Sequence, residues 1–209
     1  MKEIVIIGAG GLGIGVAWLA RRCGRKIKGF LDDTPEKHGS LILDIPVLGR
    51  IETRDLYLDC EYIIALGNPR NRKKIVDTFF SSKNYSFATL IDPSALLGEN
   101  IEVEEGSMIW AGSILTVNVK VGQHCIVHLN STLSHGTTVN NFVTISPNVS
   151  ISGDVSIGDI VEIGANAVLK EKLSVGNGAV VGMGAVVTNN VTSHHVVVGN
   201  PAKVLKILN

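Results

Sequence analysis

The sequence predicts two domains of different class: an α/β, half-Rossmann-like N-terminal domain over residues 1–92, then an all-β parallel β-helix over residues 93–209. Three observations carry this reading. The first ~90 residues alternate strand-like and helix-like stretches, the pattern of an open α/β sheet. From Leu97 onward the apolar residues recur with a strict period of six. The composition is 45% hydrophobic but only 5% aromatic, with 23 glycines, which suits a thin core of β-branched residues stacked in layers.

In chain order, EIVIIGAG reads as a buried strand entering a glycine turn, and GIGVAWLARRCG as the helix that follows. KIKGFLDD is a second strand, closed by two aspartates. A loop containing Pro35 and Pro46 leads to a third strand, CEYIIALGN. PRNRKKIVDTFFSSKN is a basic amphipathic helix and SFATLID a final strand. The chain then divides into sixteen hexads, from LGENIE to VTNNVT, each with Leu, Ile or Val at the first position and no insertion between them. The fifth position is small or β-branched in nearly all, and glycine recurs at the second. Such a period requires short strands meeting at turns, with position one filling the axis, position five packing beside it and glycine relieving the corners. The length of the run corresponds to roughly five coils of eighteen residues.

These hexads resemble the repeat of the left-handed β-helix acyltransferases, and the tail VVVGNPAKVLK (196–206) resembles the terminal signature of the same proteins. A GAGGLG domain ahead of the repeats narrows the resemblance to the NeuD/PglD type of sugar acetyltransferase. The left-handed sense of the helix comes from this resemblance and not from the period. The resemblance implies a homotrimer that uses acetyl-CoA to acetylate an amino group on a nucleotide-linked sugar.

Gly8, Gly10 and Gly13 form G-x-G-x-x-G between a strand and a helix, and Asp32 and Asp33 end the next strand at the distance of a ribose-binding acid. Alone this reads as dinucleotide binding. Only one mononucleotide half fits before Leu97, however, and a half-site suits one nucleotide. The resemblance places the nucleotide of the sugar substrate here, against Gly10, Gly11 and Leu12 of the turn, Asp32 and Asp33, and Gly67-Asn68. The family often carries His where Leu12 stands. Arg72, early in the next helix, is either a cation for phosphate or a solvated helix charge.

Acetyl transfer to an amine needs a base near neutral pKa and a donor for the oxyanion. By the resemblance the base is His135, at the third place of LSHGTT, a corner or outward position. In relatives this histidine sits between acidic residues, whereas here its neighbours are Ser134 and Gly136. Ser134, a backbone carbonyl or an acid from another subunit remain as groups to orient the ring. The family usually has Asn at His128 and His at Thr144, the latter helping to place acetyl-CoA. The remaining acetyl-CoA positions implied are Gly164, Ala165 and Gly182, along a groove between subunits, and Lys203, near a CoA phosphate. Cys125 falls at an inward fifth position, which argues against an acyl-enzyme. His38, His124, His194 and His195 have no partner spacing and are expected at the surface; no metal is implied.

Lys+Arg and Asp+Glu balance at 19 each, so no global field recruits nucleic acid or an acidic membrane. Three cysteines without disulfide or metal spacing suit a reducing, cytoplasmic setting. The first apolar run breaks too early for a signal peptide, and no run approaches the ~20 apolar residues of a membrane span. Two other readings differ in function: O-acetylation of a sialic acid or other sugar, and a non-catalytic trimer that binds nucleotide sugar. A nicotinamide oxidoreductase rests on the glycine motif alone and leaves the hexads unexplained.

Overall fold

A computed structural model of the chain describes residues 1–81 and 85–208. It divides into two compact units, Met1–Leu90 and Ile91–Asn209.

The first unit is a six-stranded sheet. β1 (Ile4–Ile7) is buried throughout and runs into α1 (Gly11–Arg22), whose Val16, Ala17, Leu19 and Ala20 are buried. β2 (Ile27–Leu31) pairs in parallel with β1. β3 (Leu41–Ile42) and β4 (Ile45–Gly49) form an antiparallel hairpin within the stretch expected to be loop. Its turn residues, Leu43 and Asp44, both take positive φ (52° and 61°), the geometry of a two-residue hairpin turn. That turn normally advertises itself with Asn-Gly or Asp-Gly, and Leu-Asp carries no such signal.

β5 (Glu61–Ile64) lies on the other side of β1, followed by α2 (Pro69–Phe79) and β6 (Ser86–Phe87), giving the order β3-β4-β2-β1-β5-β6. The basic helix expected to reach Asn84 thus ends at Phe79, and the last three residues of that expectation lie outside the described residues. The strand expected over SFATLID is two pieces: β6, and Leu90–Ile91, which joins a face of the second unit.

The second unit is a three-faced stack of parallel strands. One face carries eight strands, running from Leu90–Ile91 through Met108–Ile109, Ile126–Val127 and Thr144–Ile145 to His195–Val198, with Lys203–Ile207 added antiparallel at its edge. The other two carry six and five. Partners are eighteen residues apart, as in Leu115↔Leu133 and Leu133↔Ile151. The stack is therefore longer on two faces than five coils, because segments before and after the regular hexads add rungs to it.

The core follows the hexads. Position-one residues from Ile109 to Val187 and position-five residues including Val119, Cys125, Val143 and Val161 form one buried cluster. The first two fall short of it: Val103 is only partly buried, and Leu97, 40% exposed, pairs with Leu115 in the first strand of its face and so has a coil on one side only. At position five, buried hydroxyls replace apolar groups without loss, because each donates across the corner: Ser107 Oγ to the Gly122 carbonyl (2.6 Å), Ser113 Oγ to His128 (3.0 Å) and Ser131 Oγ to Ser146 (2.9 Å). The fourth residue turns the corner with positive φ, +70° at Gly136 and +58° at Asp154. Gly adopts this conformation freely, and Asn or Asp more readily than most residues. Among the described residues no helix is long and apolar enough to cross a membrane.

Candidate active site

The N-terminal site lies at the carboxyl ends of the parallel strands. β1 is flanked by β2 on one side and β5 on the other, so chain order reverses at β1/β5, the place where open α/β sheets bind ligands. The loop Gly8–Gly10 leaves β1 there and Leu66–Asn68 leaves β5. Leu12 and Gly67 are neighbours across the crevice: a Cβ on Gly67 would sit 3.8 Å from Leu12 Cδ2. The backbone at Gly10 and Gly11 is open, with no atom within 4 Å of a Cβ placed on either. No side chain caps α1, whose N-cap is Gly10, so its first N–H groups face the crevice without an internal acceptor. Gly13 has a different duty, since its Cβ would collide with the Gly8 carbonyl oxygen.

Asp32 braces this turn. Its Oδ2 accepts from the Ala9 N–H (2.7 Å) and from Lys37 Nζ (3.2 Å), while Oδ1 accepts from the Thr34 N–H (2.9 Å). Burial alone would push the carboxyl upward, but the hydrogen bonds from Thr34, Ala9 and Lys37 outweigh it and hold the group at about 2. Asp33 accepts from the Ile51 N–H (3.0 Å). Asn68 caps α2, its side-chain oxygen accepting from the Arg70 and Asn71 N–H groups.

Arg72 fits neither sequence-based expectation. It is fully buried, and Nη1 donates to the Leu66 carbonyl (2.7 Å) and the Gly67 carbonyl (3.2 Å). It fixes the β5 loop from behind. Lys37 is the cation beside Asp32, and its distance in sequence from the glycine motif concealed it.

In the second unit His135 stands at a corner between the strands Thr132–Leu133 and Thr138–Val139, with its side chain 67% exposed. One coil on, Gly153 lies beneath its ring and Asp154 beside it. The His135 carbonyl accepts from the Asp154 N–H (2.8 Å), and Nδ1 faces Asp154 Oδ1 at 3.8 Å. A Cβ on Gly153 would strike the imidazole, and one on Gly136 would strike the Asp154 carboxylate. Both glycines are therefore part of the arrangement.

The other corners differ. His128 is half-buried and stacked on Trp110 (ring centroids 4.4 Å apart, 15° between planes), and its Nδ1 accepts from the Leu129 N–H (3.0 Å). Removal from water pushes its pKa down, which favours the neutral ring. His124 is buried rather than at the surface, stacked on Phe142 at 5.0 Å. It occupies a fourth position, where the turn tips its ring onto the next coil. His38 is also half-buried, with Nε2 2.8 Å from the Asp32 carbonyl. Thr144 is buried at 7% exposure in the strand Thr144–Ile145. Gly164, Ala165 and Gly182 follow later strands of that face, so they line a corner other than that of His135. Lys203 is exposed on the antiparallel edge strand. One chain does not bring His135 together with the Gly164–Gly182 column.

Residues 3–79 match the model of the PglD N-terminal domain. Over 114 residues the chain is 32% identical to UDP-N-acetylbacillosamine N-acetyltransferase of Bacillus subtilis (strain 168); the match covers 53% of this chain and about half, 52%, of that relative. Among solved structures, the acetyltransferase domain of PglB from Neisseria gonorrhoeae FA1090, in complex with acetyl coenzyme A, superposes with a TM-score of 0.86 at 29% identity, covering 98% of this chain and 99% of that one. WeeI from Acinetobacter baumannii AYE gives 0.85 at 29% identity, over 98% and 100%. A mutant of perosamine N-acetyltransferase from Caulobacter crescentus, in complex with CoA and GDP-perosamine, shares the fold with a TM-score of 0.91 at 23% identity over 99% and 98%. The chain thus carries a PglD-type N-terminal domain over residues 3–79 ahead of a parallel β-helix, and over nearly its whole length it is similar to solved acetyltransferases.

Proposed function

We propose that the protein is an acetyl-CoA-dependent N-acetyltransferase acting on the amino group of a nucleotide-linked amino sugar. The observation that carries this is His135, an accessible imidazole held at a coil corner by the glycines and carboxylate of its own and the next coil. The names of its relatives support the substrate class: one acetylates a UDP-linked sugar, and another was solved with CoA and GDP-perosamine.

The nucleotide rests in the N-terminal crevice, its phosphates against the open Gly10–Gly11 backbone and the first N–H groups of α1, with Leu12, Asp32, Asp33, Gly67 and Asn68 around it. The sugar amine attacks the thioester carbonyl while His135 takes its proton. The oxyanion is met by a backbone N–H, the C–S bond breaks, and the CoA thiolate leaves. Transfer is direct. Cys125 is fully buried and its Sγ donates to the Asn140 carbonyl (2.9 Å), so no acyl-enzyme forms there. Thr144, Gly164, Ala165, Gly182 and Lys203 hold acetyl-CoA. Because the small-residue column and His135 occupy different corners of one chain, a neighbouring copy must bring the first to the second, which supports a homotrimer. The free thiols Cys23, Cys60 and Cys125 support a reducing compartment such as the cytoplasm.

The test is CoA thiol release from acetyl-CoA with UDP-, dTDP- and GDP-linked amino sugars, with light scattering on the same sample. We expect turnover with one of them, loss of at least about 100-fold in His135→Ala, and a mass three times the 22.2 kDa chain. Tight nucleotide binding without release from any amino sugar would replace this reading with a binding-only or hydroxyl-acetylating role.

A further inference from the structure

The carboxylate that flanks the histidine in relatives is absent at residues 134 and 136, yet the ring does not lack one. We infer that Asp154, one coil further along the same chain, is the positioning residue that orients His135, an inference that rests on the proposed role of His135 as base. Three features point to it. Asp154 and Gly136 hold the same fourth position in successive coils, eighteen residues apart, both with positive φ. The Asp154 carboxylate fills the space that a side chain at 136 would require. Its Oδ1 faces Nδ1 of His135 at 3.8 Å, and Asp154 is the one ionised partner of that ring among the described residues.

The chemistry needs the other ring nitrogen. With Nδ1–H directed at Asp154, the neutral imidazole keeps its lone pair on Nε2, free to take the proton of an incoming amine. When Nε2 takes the amine proton, the imidazolium faces a carboxylate, and a shift of ~1 Å closes 3.8 Å to a charge-assisted hydrogen bond. Such contacts are commonly long before substrate binds and tighten in the complex. Gly153 beneath the ring allows the approach, and the Asp154 N–H to His135 carbonyl bond fixes the two coils against each other.

The experiment compares wild type, Asp154→Asn, Asp154→Glu and His135→Ala by steady-state kinetics, and reads the imidazole nitrogens of 15N-histidine-labelled protein by NMR. Asp154 uses only its backbone to hold the fold, so thermal unfolding is expected to change little. Asp154→Asn should lower kcat about tenfold or more, with KM for both substrates within about twofold, because the interaction grows as charge develops. Asp154→Glu should recover part of that loss, and His135 nitrogen shifts should report Nδ1–H in wild type and a mixed population in Asp154→Asn. Wild-type kcat in Asp154→Asn, or identical His135 nitrogen shifts in the two proteins, would overturn the inference. If wild type acetylates no amino sugar, the reading of the reaction fails, and the nitrogen shifts alone then decide the pairing.

Discussion

Gly153 is buried under the His135 ring, and its own φ is one that any residue can adopt, so Gly153→Ala tests the site without straining the backbone. The new methyl meets the far end of an exposed side chain, which can swing away at little cost in stability. We therefore expect kcat to fall more than about tenfold while the melting temperature moves by less than about 2 °C, measured on one preparation. The outward corner position of His135 was legible from its place in LSHGTT. Asp154 was not, because reading along the chain looks one residue either side of the histidine, whereas in a solenoid the lateral neighbours lie eighteen and nineteen residues on. Writing the hexads in columns of three would have set Gly153 and Asp154 directly above His135 and Gly136. Arg72 was misread for another reason: a basic helix pattern does not reveal that one guanidinium turns inward to satisfy the Leu66 and Gly67 carbonyls.

At the scale of the element, the glycine turn separates stability from binding. Gly13→Ala drives a methyl into the Gly8 carbonyl, and the helix must move off the strand, at a cost of about 1–3 kcal/mol seen as a lower melting temperature. Gly11→Ala has open space and replaces glycine in the first turn of α1, so stability is expected to hold or rise. The same methyl stands where a phosphate would approach, and calorimetry with UDP and GDP should show weaker binding by about tenfold in Gly11→Ala. Strand–turn–helix around G-x-G-x-x-G was readable because glycine, period and length agree there. The β3–β4 hairpin was not, since its tight turn is built from Leu43 and Asp44, and the two residues of β3 show too little alternation to detect.

On the scale of the whole molecule, the two units differ in what holds them, and acid should separate them. Asp32 is held at about 2 against an ordinary 3.8, so its ionised form favours the folded first unit above pH ~4, and that advantage is lost as pH falls through about 2. The difference is worth about 2 kcal/mol. Trp18 lies in the first unit and Trp110 in the second, so Trp110→Phe and Trp18→Phe give each unit a fluorescent reporter of its own. The Trp18 transition should weaken between pH ~4 and ~2, and Asp32→Asn should flatten that dependence. The solenoid itself was legible nearly rung by rung, because a core that repeats every sixth residue leaves its mark in sequence. The extra rungs at either end were not, as Leu90–Ile91 and Lys203–Ile207 pair outside the hexads.

The eighteen-residue rung also sets the unit in which this protein can change length. Deleting one residue between His135 and Asp154 would rotate every later apolar side chain off the axis. Removing a full circuit, residues 137–154, would keep each apolar residue inward and leave the stack one rung shorter. Yet it would bring Glu171 beneath the imidazole and Lys172 to the place of the carboxylate. Such a protein should still fold: a change of gene length invisible to the architecture would reverse the charge beside His135.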